Sequence, residues 1–286
     1  MKNRSKPILF SAFPLLFLLA LGSTATSSVP GEVEDERAFD YIAGSEKGPV
    51  HWGELRKEWE ACKTGEMQSP IDLSSRRVKV IPKLGEIERS YKPSNATLKN
   101  RGHDISLQWD LGNVGSIKIN GTEYFLQQCH WHSPSEHTIN GRRYALEMHM
   151  VHVSTDQDVK NKIAVVGLLY KTGQPNAFLT KLMGNVGIVG SLVDKEGERK
   201  LGVIDPREIK LGGKNYLRYM GSLTVPPCTE GVIWTINKKI GTASKDQIKL
   251  LQEAVHDYAE KNARPLQQLN KREIHLYQPN EALIPN

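Results

Sequence analysis

After its first two dozen residues the sequence has no apolar run approaching the ~20 residues that a membrane-crossing helix needs, so no span is expected. It also lacks a basic tract interleaved with aromatics, which leaves no case for nucleic acid as a partner. There is no internal repeat, no low-complexity tract and no convincing linker, and nothing in the composition points to disorder. The one glycine cluster, GNVGIVG from Gly184 to Gly190, has the wrong spacing for a dinucleotide fingerprint. Cysteine is scarce, with Cys62, Cys129 and Cys228 in 286 residues, and three is an odd number.

What is present begins with a leader. Lys2, Arg4 and Lys6 precede an apolar run from Ile8 to about Leu21, and small residues follow at Ser23 and Ala25, so residues 1–25 read as a signal peptide. A secreted mature chain is expected. Removing the three leader cations lowers the formal charge from +6 to +3, a mild balance. Two sequons, Asn95-Ala96-Thr97 and Asn120-Gly121-Thr122, fit the secretory route. In an oxidising compartment the odd cysteine count implies one disulfide and one leftover thiol. Cys129 lies between a glutamine and a histidine with its side chain expected to point away from theirs, so Cys62 and Cys228 are the expected pair. That bridge closes a very long loop, worth on the order of 4 to 5 kcal/mol in the chain-entropy model. Three reduced buried thiols are the alternative if the leader is not a leader.

Residues 26–46 are polar and acidic and read as a loose N-terminal arm, with one domain over 47–280 and a tail at 281–286. From Gly48 onward, short runs rich in Val, Ile, Tyr and Thr alternate with Gly, Asn, Pro and Asp turns. The fold class expected from this is mainly β, a sheet-dominated single domain with few helices. One helix stands out near the end: Ser244 and Gln247 form a capping box, and Ile248, Leu251, Val255 and Tyr258 follow at helical spacing.

The stretch QQCHWHSPSEH, from Gln127 to His137, puts two histidines one residue apart inside a strand. Side chains alternate between faces, so Tyr124, Leu126, Gln128, His130 and His132 are expected on one side. The next strand, read as Arg143 to Val153, puts Ala145, Glu147, His149 and Val151 on one face, and Asn140-Gly141 gives a hairpin turn between the two runs. Three imidazoles then converge. Three neutral imidazoles with an open fourth position are the ligand set of a catalytic zinc ion, and each needs an acceptor for its second nitrogen. Gln128 and Glu147 stand two residues before His130 and His149 on the ligands' own faces. A lone histidine is more often an ordinary structural or exposed residue. Two at i and i+2, with a third preceded by a carboxylate, reverse that expectation.

These residues resemble the α-class carbonic anhydrases over nearly all of Gly48 to Pro279. The likeness runs through GPVHWG, QSPIDL, NRGHDISL, QQCHWHSPSEH, ALEMHMVHV, GSLTVPPCTEGVIW and NARPLQ. The leader and the Cys62 and Cys228 positions are most similar to plant secreted members, including nectarins and the dioscorin storage proteins. The resemblance implies a large, mostly antiparallel twisted sheet with a few peripheral helices and a conical zinc cleft. His130, His132 and His149 match the zinc ligands, Gln128 and Glu147 the acceptors behind them, and the backbone carbonyl of Asn262 the group orienting His132. The activity implied is reversible hydration of carbon dioxide to bicarbonate and a proton by zinc-activated hydroxide. Thr224 and Glu136 match the pair that orients the hydroxide, and His103 the proton shuttle. Val151, Val165, Leu223 and Trp234 match the carbon dioxide wall, and Val225 follows beside them.

Sulfonamides and small anions are the inhibitors implied, and the implied location is the apoplast, or a plastid reached through the secretory route. Arg101 and Ser106 stand where asparagines commonly flank the shuttle, and Glu54 where a tyrosine is common, departures that bear on proton-transfer speed. Val225 stands where animal members often have a polar residue, which bears on anion affinity. Two competing readings are a storage or binding protein with little turnover on the same scaffold, and a redox activity on dehydroascorbate species. The complete ligand set favours the enzyme over the first. The second lacks a nucleotide motif or paired cysteines near the cleft.

Overall fold

The computed structural model describes residues 38–110, 112–190 and 197–279. The leader, the first part of the N-terminal arm and the 281–286 tail lie outside these residues. Most strands belong to one 13-stranded sheet. Its main path runs Val78–Val80, Ile274–Tyr277, Tyr216–Ser222, Glu230–Asn237, Ile163–Thr172, Leu146–Val153, Thr122–His132, Ile105–Trp109, Ser94–Asn100 and Glu198–Ile204. Pairing is antiparallel except where Val78–Val80 meets Ile274–Tyr277 and where Ile163–Thr172 meets Glu230–Asn237 and Gly241–Ala243. The sheet is thus mixed but mostly antiparallel, as the family resemblance implied.

Alternation divides the central strands into two chemistries. Leu107, Cys129, Met150 and Val166 sit opposite one another across four adjacent strands and belong to one apolar cluster. Phe178, Leu179, Leu182, Ile248 and Leu251 join that cluster, so two helices, Ala177–Gly190 and Lys245–Glu253, cover this face. Each such side chain removed from water stabilises the fold by roughly 1.5 to 3 kcal/mol before entropy is counted. On the other face the same four strands contribute Ser106, His130, His149 and Gly167.

The helix Lys245–Glu253 carries the predicted capping box: Ser244 Oγ accepts from the Gln247 N–H at 3.1 Å while Gln247 Oε1 accepts from the Ser244 N–H at 3.1 Å. The helix ends earlier than the apolar spacing suggested, with Ala254 as its C-cap, and Val255 is buried beyond it. The helix Ala177–Gly190 was not read from the sequence. Its glycines argue against a helix, but Asn176 Oδ1 accepts from the Leu179 N–H at 3.0 Å and four apolar residues, Phe178, Leu179, Leu182 and Val186, are buried along it.

Three further expectations are corrected. The strand Thr122–His132 is bulged, with Leu126 opposite His152 and Gln128 opposite Val151, so Gln127 is skipped. The bulge resets the alternation. Tyr124 and Leu126 therefore join Cys129 and Trp131 in the apolar cluster instead of sharing the face of Gln128, His130 and His132. Asn140-Gly141 does make a tight turn, with φ of 50° and 75°, but between the short strands Thr138–Ile139 and Arg142–Arg143, a side hairpin inserted before Leu146–Val153. Finally, the arm is not loose from residue 39 onward. Phe39 is buried and packs edge-on against Trp52 and Trp59, while the Trp52 indole N–H donates to the carbonyls of Asp40 and Lys47.

Candidate metal centre

Strand register assembles the three histidines. His130 and His149 are directly opposite each other on adjacent antiparallel strands, and His132 lies two residues along on the same face. Their ring centroids are 4.6 to 5.1 Å apart, and all three are 0 to 1% exposed.

Each ring has one nitrogen committed as a donor. His130 Nδ1–H donates to Gln128 Oε1 at 2.9 Å, His132 Nδ1–H to the Asn262 carbonyl at 2.8 Å, and His149 Nε2–H to Glu147 Oε1 at 2.9 Å. These acceptors fix the tautomers, leaving lone pairs on His130 Nε2, His132 Nε2 and His149 Nδ1. The three histidines each offer one nitrogen to a set lying within 4.8 Å of one another. His130 Nε2 and His149 Nδ1 are 3.2 Å apart. A tetrahedral ion with bonds of about 2.0–2.1 Å would hold its nitrogens about 3.3 Å apart. His132 Nε2 is buried with no hydrogen-bond partner. Converging lone pairs without a proton between them repel, and a divalent cation at their focus removes that penalty, so this donor set fits zinc.

Protonation follows the same logic. Burial pushes His130 well below the usual imidazole range and His149 down to about 4, so both rings are neutral near pH 7, the form a metal ligand needs. Burial acts the same way on His132, but the Glu136 carboxylate and the Asn262 carbonyl outweigh it and raise this ring. Burial would raise Glu147, yet the His137 and His149 rings beside it hold its carboxyl well below the normal range.

Behind the ligands runs a polar chain that sequence reading missed. Glu147 Oε1 also accepts from His137 Nδ1–H at 2.7 Å, and Glu147 Oε2 from the His137 backbone N–H at 2.8 Å. His137 Nε2 accepts from the Tyr219 hydroxyl at 2.6 Å, which in turn meets Ser69 Oγ at 2.8 Å. Ser69 Oγ accepts from the Ser222 N–H at 3.0 Å. The second cluster of possible ligand atoms, His137, Glu147 and His149, is thus already satisfied by its own hydrogen bonds. His137 ends the stretch that drew attention to the site, so its sequence signal was present without a partner to explain it.

Glu136 is fully buried. Its Oε1 accepts from the Arg264 backbone N–H at 2.9 Å, and its Oε2, 3.6 Å from His132 Nε2, accepts no hydrogen bond. The expected bond from Thr224 to Glu136 is therefore not made in this structure, although Thr224 is buried at 2% exposure. Arg264, unread in the sequence, anchors the region: its guanidinium donates to Gln68 Oε1 and to the carbonyls of Ser69 and Cys62, each at 2.8 Å. Cys62 and Cys228 are bridged, and Cys129 is the buried free thiol. The bridge ties down the loop carrying Thr224, which is also closed by a 2.9 Å bond from the Leu223 N–H to the Thr229 carbonyl.

Val151, Val165 and Trp234 lie side by side across three strands, and with Leu223 they share one apolar cluster. The Trp234 ring sits 4.7 Å from that of His149. Val225 does not belong to this wall. It packs with Phe39, Trp52, Trp59 and the disulfide, because the bridged loop turns it into a different cluster.

His103, the match to the proton shuttle, is buried: it is 1% exposed, its ring 5.2 Å from that of Phe39 and its Nε2 3.6 Å from Asp104 Oδ2. Arg101 is engaged within its own turn. It forks onto Asp104, with Nε 2.8 Å from Oδ1, and both residues are buried. Ser106 is buried opposite His130. Glu54 is exposed and paired with Lys63 and His51.

The comparisons agree with this geometry. A sequence model described as eukaryotic-type carbonic anhydrase matches residues 47–278. Alpha carbonic anhydrase 7 of Arabidopsis thaliana is 53% identical over 272 residues, 95% of this chain and 96% of that protein. Carbonic anhydrase Nec1 of Nesocodon mauritianus is 52% identical over 263 residues, covering 92% of this chain and 93% of that one. Among solved structures, dioscorin complexed with ascorbate superposes with a TM-score of 0.80 at 42% identity, covering 85% of this chain and 99% of dioscorin. The Thermovibrio ammonificans alpha-carbonic anhydrase with the inhibitor sulfanilamide does so at 0.71 and 34% identity, covering 86% and 99%. A protein that shares sequence and fold at this level with carbonic anhydrases, and that aims three tautomer-fixed imidazoles at one point, belongs to the eukaryotic-type carbonic anhydrase family, whose members reversibly hydrate carbon dioxide.

Proposed function

We propose that His130, His132 and His149 hold the catalytic zinc ion of this carbonic anhydrase through Nε2, Nε2 and Nδ1, with Gln128, the Asn262 carbonyl and Glu147 setting their tautomers. The observation that carries this reading is the convergence of three buried ring nitrogens on one point, with the other nitrogen of each ring engaged by an acceptor behind it. When bound, zinc on three neutral nitrogens supplies Lewis acidity that brings a water's pKa to about 7, a magnitude established on carbonic anhydrase itself.

The protein's own groups do the rest. Carbon dioxide is apolar, and the wall of Val151, Val165, Leu223 and Trp234 offers it a dry surface against His149. Glu136 is held by Arg264 through one oxygen, leaving Oε2 as the acceptor for Thr224. A hydroxyl that donates to a carboxylate must turn its lone pairs the other way, toward the reacting water, which orients that water for attack. His103 is the residue to carry the proton out, and because it is buried beneath Phe39 the relay requires one of the two rings to move.

The same reading makes residues 1–25 a cleaved signal peptide and the mature protein secreted, to the apoplast or to a plastid by the secretory route. Asn95 and Asn120 are both exposed, as glycan acceptors must be, and Asn120 sits in a tight turn before Thr122–His132. Sulfonamides are the inhibitors to expect, in keeping with the sulfanilamide complex of the Thermovibrio ammonificans protein.

The test is metal analysis of the purified mature protein beside stopped-flow carbon dioxide hydration, with and without a sulfonamide, repeated on His103→Ala in weak buffer. One zinc per chain, sulfonamide-sensitive turnover and a loss of weak-buffer turnover in the variant are expected. Turnover that survives complete zinc removal contradicts the metal assignment, and unchanged weak-buffer turnover removes His103 from the proton path.

A further inference from the structure

A cavity of about 600 Å³ has four cations in its wall, Arg89, Arg207, Lys210 and Lys239, and no carboxylate among its lining residues. It shares no residue with the histidine site. The cations come from three separate places: the strand Glu88–Arg89, the segment around the 3₁₀ turn Pro206–Glu208, and the link that follows the strand Glu230–Asn237. Arg207 is already neutralised by Asp205, which accepts from its Nε and Nη2 at 2.7 to 3.0 Å. The neighbouring Glu208 is taken by Lys181, and Glu86 by Lys214. Among the described residues, Arg89, Lys210 and Lys239 have no carboxylate within ion-pair distance. A cavity of this volume is about 10 Å across, roughly one Debye length at 0.1 M salt, so salt screens the repulsion among these charges only in part, and no carboxylate of the wall offsets it.

The wall is shaped as well as charged. Gly212, at φ +85°, has no side chain, and a Cβ built there would lie 3.0 Å from both Cβ and Cδ of Lys239. The lysine stem is therefore laid against bare backbone at the cavity wall. Ile209, Leu211 and Tyr91 add apolar surface at 3, 7 and 8% exposure. The Tyr91 hydroxyl is spent on His152 Nε2 at 2.6 Å, so the tyrosine offers the cavity its ring and not a polar group.

We propose that this cavity binds a small organic anion carrying two or more phosphate groups. Its volume lies in the range of small-molecule sites, about 300–1,000 Å³, and not of a groove for a polymer. A free guanidinium forks onto phosphate oxygens, ammonium groups bind phosphate as point charges, and the apolar residues suit a carbon skeleton. A single phosphate leaves three cations under-neutralised, and two balance them.

The test is calorimetric titration of the zinc-loaded protein with fructose 1,6-bisphosphate as probe and fructose 6-phosphate as the singly phosphorylated comparison. Saturable one-to-one binding of the bisphosphate is expected, weaker for the monophosphate, with Arg89→Ala and Lys239→Ala each losing affinity by about tenfold or more. Gly212→Ala keeps every charge but displaces Lys239 and is expected to weaken binding too; the two charge variants carry the test if it fails to fold. Lys245→Ala, an exposed cation on another element, is expected to bind normally, and zinc content and hydration activity to stay unchanged throughout. Absence of saturable binding, equal loss in Lys245→Ala, or binding confined to an acidic polysaccharide such as polygalacturonate would each overturn the proposal.

Discussion

An imidazole has two nitrogens, and the site works only if each ring keeps the right one bare. Gln128, Glu147 and a backbone carbonyl enforce that choice, so on the proposed zinc reading they govern metal retention from behind the rings. Gln128→Ala removes the acceptor for His130. Glu147→Gln is isosteric but leaves one amide oxygen where a carboxylate accepts three hydrogen bonds, from His149, His137 and the His137 backbone. Each variant is expected to lose zinc about 10 to 100 times more readily, measured by competition with a chromogenic chelator; chelator competition identical to the parent would show that the acceptors are ornamental. At this scale the gathering of the three histidines was legible in the sequence, because a strand's alternation ties position to face. It was illegible wherever a role depended on a distant partner. His137 waits on Tyr219, Glu136 on Arg264, and Val225 on where the disulfide turns its loop.

At the scale of elements, local chemistry was readable and its tertiary context was not. The capping box of Lys245–Glu253 forms as its four-residue signature implies, because it needs nothing beyond its own turn. Ser244→Ala is expected to cost about 1 kcal/mol, read as a lower urea midpoint with an unchanged slope; an unchanged midpoint would mean that packing alone holds this helix. The bulge at Gln127 is the opposite case. No residue type announces it, since it arises from matching Thr122–His132 to the strand Leu146–Val153, and it is what puts Leu126 in the apolar core while leaving Gln128 with the histidines. The glycine-bearing helix Ala177–Gly190 is held by its Asn176 cap and by apolar residues buried against the sheet, where intrinsic propensity reads against it.

Across the whole molecule, the sheet and one disulfide bring together positions that sequence separates widely: Cys62 and Cys228 are 166 residues apart, and Arg264 reaches Gln68 across 196. The density of the core also sets the response to acid. His152 is fully buried, and burial, partly offset by the Ala164 and Met150 carbonyls, pushes it down to about 4. An unfolded histidine takes up its proton near pH 6.5, so between about 6.5 and 4 the unfolded chain binds more protons than the folded one. Stability is therefore full above about 6.5 and falls as pH drops toward 4, by a contribution on the order of 3 kcal/mol from this residue. Urea unfolding of the zinc-loaded protein across that window is expected to show the decline, and His152→Gln to make it shallower; identical slopes would place the acid sensitivity elsewhere. The most direct test of the account's central claim is the zinc K-edge X-ray absorption spectrum of the purified protein. Three imidazole nitrogens and one oxygen at about 2.0–2.1 Å are predicted. A shell containing sulfur near 2.3 Å, a shell built of oxygens, or fewer than three imidazoles would contradict it.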